Sequence, residues 1–188
     1  MIRTGQTIEN PVTGERVVFR TTSADTKGEA VVIDVFVEPD GFVAAHVHPR
    51  QEERFEVLAG TLAMRVGREE VVARPGDRVV VPAGTPHMFW NAGDETSHFV
   101  CEVRPALRFE SLLETMCALA ADGNTNRKGM PNPLRLAVIA QAHFDTVRLP
   151  FPPAWMQRLG LAMGAPLGRL LGYGPTYEGS PGPAAFGV

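Results

Sequence analysis

The sequence predicts an all-β sandwich or barrel followed by an α-helical extension, and three observations lead there. Short β-branched runs recur through residues 2–104: Val17-Val18-Phe19, Val31 to Val37, Val71-Val72-Ala73 and Val79-Val80-Val81. Turn formers bound them at Asn10-Pro11, Thr13-Gly14, Pro39-Asp40-Gly41, Pro75-Gly76-Asp77 and Ala92-Gly93-Asp94. Strands recurring about every 8–12 residues with such punctuation form sandwiches and barrels. After Pro105 the apolar spacing changes to that of helices. The sequence therefore divides into a β-barrel over 1–105 and a helical extension with an irregular tail over 106–188.

Composition agrees with that division. The chain has 188 residues, 44% of them hydrophobic and 21% charged, enough for a packed core and unlike a disordered chain. Its 19 Gly and 16 Pro exceed the total of about 23 that average usage gives, which favours many turns. The net charge is −3, and no basic stripe points to nucleic acid. Two scattered cysteines, Cys101 and Cys117, make neither a disulfide framework nor a zinc site. Met1 runs into polar residues without a basic-then-apolar leader. These features predict a cytoplasmic protein with reduced thiols.

Taken in order, the strands alternate where one face is buried. Leu62, Met64 and Val66 share a face against Ala63 and Arg65, and Phe99, Cys101 and Val103 oppose Glu102 and Arg104. Helical spacing then links Leu112-Leu113, Met116-Cys117 and Leu119-Ala120, with Gly123 as a stop. A second helix begins after Pro131-Asn132-Pro133 and reaches Ala142. A third spans Trp155 to Leu171. Segments opened by Pro and closed by Gly carry helix boundary signals. From Gly174 to Val188 the Gly/Pro/Ser content predicts irregular chain.

The chemistry concentrates in two blocks. In the first, Gly41 to Gly60, His46 and His48 are two apart, so on one strand both imidazoles share a face. A turn through Pro49-Arg50-Gln51 returns the chain so that Glu53 opens the neighbouring strand, with Phe55 and Val57 as apolar companions of the same parity. In the second, Pro82, Gly84 and Pro86 hold a tight turn, and His87 follows at the start of a strand. Three imidazoles and one carboxylate are what a divalent transition metal needs. A metal that prefers about six ligands keeps positions open for water, oxygen or a bidentate substrate.

These blocks resemble the two sequence motifs of the cupin superfamily, G-x5-H-x-H-x3/4-E-x6-G and G-x5-P-x-G-x2-H-x3-N. The second matches at Gly76, Pro82, Gly84, His87 and Asn91. The first matches at His46, His48, Glu53 and Gly60, and departs in having four residues between Gly41 and His46. The resemblance covers roughly residues 30–104 and leaves the helical extension unexplained. It implies a cupin double-stranded β-helix, or jelly-roll, barrel whose metal ligands are His46, His48, Glu53 and His87. The rival carboxylate, Glu52, misses the six-residue spacing to Gly60 and reads as a turn charge. His98 and His143 lack such context and read as surface or packing residues, and Asn91 as a turn-forming amide. Phe55, Met64 and Phe89 either line a pocket or pack the core.

The resemblance further implies one divalent transition metal, Fe, Mn, Ni, Co or Zn, and a small-molecule substrate. A metal-dependent, dioxygenase-like enzyme is the first functional reading. A metal-dependent isomerase or lyase is the alternative, beside a non-catalytic small-ligand-binding module. Isomerases of phosphorylated sugars would want a basic cluster at the pocket, and none is visible, since Arg54, Arg65 and Arg104 alternate outward.

The third helix carries Gly160, Gly164, Gly168 and Gly172 at four-residue spacing. Each glycine in a helix interior costs up to about 1 kcal/mol relative to Ala, so the stripe predicts close packing against the barrel or a partner chain, as in a homodimer. Gln157, Arg158, Arg169 and Pro166 interrupt the stretch and argue against a transmembrane span.

Overall fold

A computed structural model describes residues 2–179. Ten strands precede three helices. The strands are β1 (Thr7–Asn10), β2 (Glu15–Thr21), β3 (Val31–Val37), β4 (Phe42–His46), β5 (Glu52–Ala59), β6 (Leu62–Val66), β7 (Glu69–Ala73), β8 (Arg78–Val81), β9 (His87–Asn91) and β10 (Ser97–Arg104). The helices are α1 (Phe109–Ala121), α2 (Pro133–Ala142) and α3 (Ala154–Leu170). Every β-branched run named above lies in a strand, and each of the three predicted helices forms. The tail beyond Leu171 is irregular as far as Gly179; the rest of the predicted irregular stretch lies outside the described residues.

The strands pair as two antiparallel sheets, in the orders β1-β2-β3-β10-β5-β8 and β4-β9-β6-β7. Hydrogen bonding does not close them into a ring, so the expected barrel is realised as a two-sheet jelly roll. Alternation decides which side chains enter the space between. Along β10 every second residue from Ser97 to Val103 is buried, and Phe99 makes edge or tilted ring contacts with both Phe55 and Phe89. Val17, Phe19, Ile33, Val57, Leu62 and Met64 complete this shared core, each apolar side chain contributing about 1.5–3 kcal/mol on full burial. Phe55, Met64 and Phe89 are thus core residues.

Two motif residues are structural. Gly60 takes φ +73°, and a Cβ there would stand 2.8 Å from the Ser97 backbone, so only glycine fits this turn. Asn91 is buried and ties the end of β3 to the loop that follows β9: its amide donates to Val37 O and Glu95 O, both at 2.8 Å, and its Oδ1 accepts from Gly93 N at 2.8 Å.

The extension is built from local signals. Asn132 caps α2, accepting from the backbone N–H of Leu134 and Arg135, with Pro133 at its first position. Helix α3 runs through Pro166 and packs on α2 rather than on the strands. The glycine stripe explains that contact only in part. A Cβ on Gly164 would meet Ala137 Cβ at 3.1 Å, and one on Gly168 would meet Val138 Cγ2 at 2.6 Å and the Leu134 carbonyl. Gly172 instead ends the helix at φ +83°, and Gly160 faces open space. Gly168→Ala is therefore expected to lower stability by about 1–3 kcal/mol through overpacking, although alanine is the better helix former. Urea unfolding of the two chains measures it, and a Gly168→Ala chain of equal or greater stability would show that α2 and α3 are not held at this distance.

Candidate metal centre

His46, His48, Glu53 and His87 converge from separate segments, one potential ligand atom of each lying within 4.8 Å of the others. Their supports differ from the simple strand picture. β4 ends at His46, and His48 lies just beyond it, past a bridge between Val47 and Arg148. Glu53 stands on β5, which belongs to the opposite sheet from β4. The turn through Pro49-Arg50-Gln51 therefore crosses between sheets instead of closing a hairpin. His46 pairs with His87 across the β4–β9 ladder after a register shift beyond Val43, and a bulge of this kind re-aims side chains. Gly84, at φ +80°, donates its N–H to His48 O at 2.8 Å, fastening the second motif to the first.

The hydrogen bonds settle the tautomers. Nδ1 of His46 lies 2.8 Å from Ala44 O, Nδ1 of His48 2.6 Å from Thr146 O, and Nδ1 of His87 3.0 Å from Thr85 O. A carbonyl only accepts, so each Nδ1 carries a hydrogen and each neutral ring turns a bare Nε2 lone pair inward. His87 Nε2 faces Glu53 Oε2 at 2.7 Å without hydrogen-bond alignment, and both atoms are buried. His48 Nε2 stands 3.5 Å from Glu53 Oε1. Lone pairs set against a carboxylate repel unless a proton or a cation stands among them. The donor set and its backbone-anchored outer shell fit a divalent metal.

Charge follows from this crowding. Burial drives His46 down to about 3, and the neighbouring His48 and His87 add to the fall. Burial pushes Glu53 upward, but the surrounding imidazoles outweigh it and hold the carboxyl at about 2. For His87 burial works against the proton, yet the proximity and charge of Glu53 prevail and raise it. Cys101 Sγ approaches Glu53 Oε1 at 4.0 Å; burial and the adjacent carboxylates keep its thiol protonated.

Other residues stand where their chemistry sends them. Glu52 pairs outward with Arg54 at 2.7 Å. His98 bonds Asp34 at 2.7 Å and stacks on Phe36. His143 is buried at the end of α2, with Nδ1 against Ile139 O at 2.9 Å. Arg54, Arg65 and Arg104 are exposed. A basic cluster does exist, however, built from three distant segments. Arg50, Arg108 and Arg158 line a cavity of about 740 Å³, with Asp145 as its acidic member. Thr146, whose carbonyl holds His48, lines it as well, and Phe109, next to Arg108, sets its ring 5.9 Å from that of His48. The sequence shows no sign of Thr146, because the group that acts is a backbone carbonyl.

The sequence profile of the family described as Cupin domain matches residues 26–102. Residues 26–102 form a cupin domain. Solved structures resemble the chain over that region. A predicted oxalate decarboxylase from Thermotoga maritima is 18% identical over 56% of this chain and 98% of its own, with a TM-score of 0.49. A cupin-superfamily sugar phosphate isomerase from Silicibacter pomeroyi is 25% identical over 50% and 62%, with a TM-score of 0.44. A polyketide cyclase from Streptomyces resistomycificus is 19% identical over 55% and 78%, with a TM-score of 0.47. No curated protein matches the chain.

A metal binding at this site competes with protons for the inward Nε2 of His87, whose proton affinity the neighbouring Glu53 raises. Affinity is accordingly expected to fall as pH is lowered from about 8 to about 6, by up to about tenfold per unit for each proton released. Competition with a chelating dye measures this, and an affinity that stays flat across the range would remove His87 from the ligand set.

Proposed function

We propose that the protein is a metal-dependent enzyme acting on a small organic substrate, with one divalent transition metal held by His46, His48, Glu53 and His87, and that it catalyses an oxygenation. The observation that carries the reading is the inward convergence of three bare imidazole lone pairs and one carboxylate. A divalent metal, when bound, supplies Lewis-acid polarisation of a carbonyl or enolate oxygen. The chain's own groups do the rest. Backbone carbonyls of Ala44, Thr85 and Thr146 hold the rings in one tautomer. In the metal-free chain Glu53 Oε2 and His87 Nε2, 2.7 Å apart, can hold a proton between them, which metal binding releases. The buried Phe109 ring lies 5.9 Å from that of His48, while His46 is only half-buried and marks the accessible side.

A second reading, an isomerase or lyase, draws support from the cavity of Arg50, Arg108 and Arg158. Guanidinium groups bind carboxylate or phosphate in a bidentate manner, so this reading takes an anionic substrate. The two buried free cysteines fit a reducing compartment, and we assign the protein to the cytoplasm.

Protein isolated without added metal is expected to carry about one divalent ion per chain, and His46→Ala/His87→Ala to lose nearly all of it, as read by elemental analysis. Undiminished metal in that variant removes the ligand assignment. Aerobic incubation of the Fe(II)-loaded protein with a panel of enolic substrates is expected to consume oxygen. Turnover without oxygen uptake selects the isomerase or lyase, in which case Arg108→Ala should raise KM for an anionic substrate about tenfold, the loss of one charge-assisted contact. Absence of turnover with every metal and substrate leaves the ligand-binding module.

A further inference from the structure

We propose that the outer face of α3 is a homodimer interface, in which two copies of the helix cross antiparallel about a two-fold axis at Met163. The helix is turned inside out relative to an ordinary surface helix, whose polar side meets water. Its polar side chains point back to the body: Arg158 lies over the Phe144 ring at 4.9 Å, Arg169 donates to Gln141 Oε1 at 2.7 Å, and Gln157 donates to Leu149 O at 2.9 Å. Its buried residues are Ala165 and Gly168. Outward stand Trp155 at 67% exposure, Leu159 at 59%, Met163 at 64%, Leu167 at 54% and Leu170 at 83%. At 100° per residue, Met156, Leu159, Gly160, Met163, Pro166, Leu167 and Leu170 occupy one continuous face without a charge.

The order of residues on that face selects the occupant. It is symmetric about Met163: Leu159 and Leu167 stand four positions away on either side, Met156 and Leu170 seven, and Gly160 and Pro166 three. A two-fold axis through Met163 therefore sets Leu159 against Leu167 of the partner subunit, Met156 against its Leu170, and the bare Gly160 against its Pro166. Such self-complementarity is what an isologous contact requires. Gly160, which meets nothing within 4 Å in one chain, gains a reason to be small.

Area and charge agree with a second copy. With Phe151 and Leu171, also more than half exposed, the face offers on the order of 1,000 Å² per copy, against about 800 Å² per partner in a standard interface. A membrane surface fits less well. Helices that lie in the interface carry Lys and Arg on their free polar side, whereas both arginines of α3, though exposed, are engaged by the body of the chain, Arg158 over Phe144 and Arg169 with Gln141. The net charge of −3 also opposes anionic lipid. No helix among the described residues is long and apolar enough to cross a bilayer.

Sedimentation equilibrium and light scattering of the full chain are expected to give twice the 20.4 kDa of one chain. Met163→Glu places two carboxylates against each other at the axis and should give the monomer. Leu159→Glu should weaken association at least about tenfold by burying an unpaired charge. Adding Leu167→Lys should restore it, because opposite charges then meet across the axis twice; within one chain the two positions are about 12 Å apart along the helix and do not meet. All substituted positions are exposed, and circular dichroism checks that each variant keeps its fold. A monomeric wild type, including one that floats with phosphatidylcholine vesicles, overturns the proposal. So does a dimer that survives Met163→Glu, or a double variant as dissociated as Leu159→Glu alone.

Discussion

The site depends on one constraint: each of three imidazoles gives its Nδ1 hydrogen to a backbone carbonyl. Because Ala44 O, Thr85 O and Thr146 O take those hydrogens, three lone pairs are forced toward a common point where Glu53 already stands. Each carbonyl is fixed by a different piece of the fold. Ala44 sits in the irregular stretch of the β4–β9 pairing, Thr85 in the Pro82–Pro86 turn, and Thr146 in the connection between α2 and α3. Orientation of the rings is therefore a property of backbone placement and needs no second carboxylate or polar side chain. Burial opposes the charge on Glu53, and a proton or a cation among the surrounding lone pairs is what offsets it.

Thr146 also joins the extension to the chemistry. Gln51 strengthens the junction: its amide donates to Pro105 O at 2.8 Å and Ala106 O at 3.0 Å, while its Oε1 lies 3.2 Å from His48 Nδ1. Val47 and Arg148 exchange backbone hydrogen bonds beside it. The extension thus supplies the acceptor for His48 and contributes Arg108, Thr146 and Arg158 to the arginine-lined cavity. A strand region cut off at residue 105 would leave His48 without its main acceptor.

Side-chain chemistry at fixed spacing was legible; tertiary juxtaposition was not. His46, His48, Glu53 and His87 announce themselves because residue type and interval both carry information, and Gly60 and Asn91 as motif positions, although Ser97 and Val37, which give them their roles, are distant in sequence. The assignment of β4 and β5 to different sheets had no local signal, since a three-residue turn looks the same whether it closes a hairpin or crosses between layers. Arg50, Arg108 and Arg158 lie in three separate segments and meet only when the extension folds back. Thr146 acts through an atom that every residue has.

The glycine stripe shows how a correct local pattern can carry an incomplete inference. Four glycines at helical spacing called for close approach, and two of them, Gly164 and Gly168, have it against α2. The other two serve different ends, Gly172 as a left-handed helix stop and Gly160 on the outer face. Periodicity identified the helix and left its rotation open, because both sides of α3 are apolar or small and only Gln157, Arg158 and Arg169 could orient it. Those three lie on the side toward α2, where the Leu149 carbonyl, Phe144 and Gln141 meet them at the exposed margin of the contact. With its few polar groups on the side toward α2, α3 keeps an outer surface that water solvates poorly. The folding of one chain thereby creates the apolar face that a second chain is suited to cover.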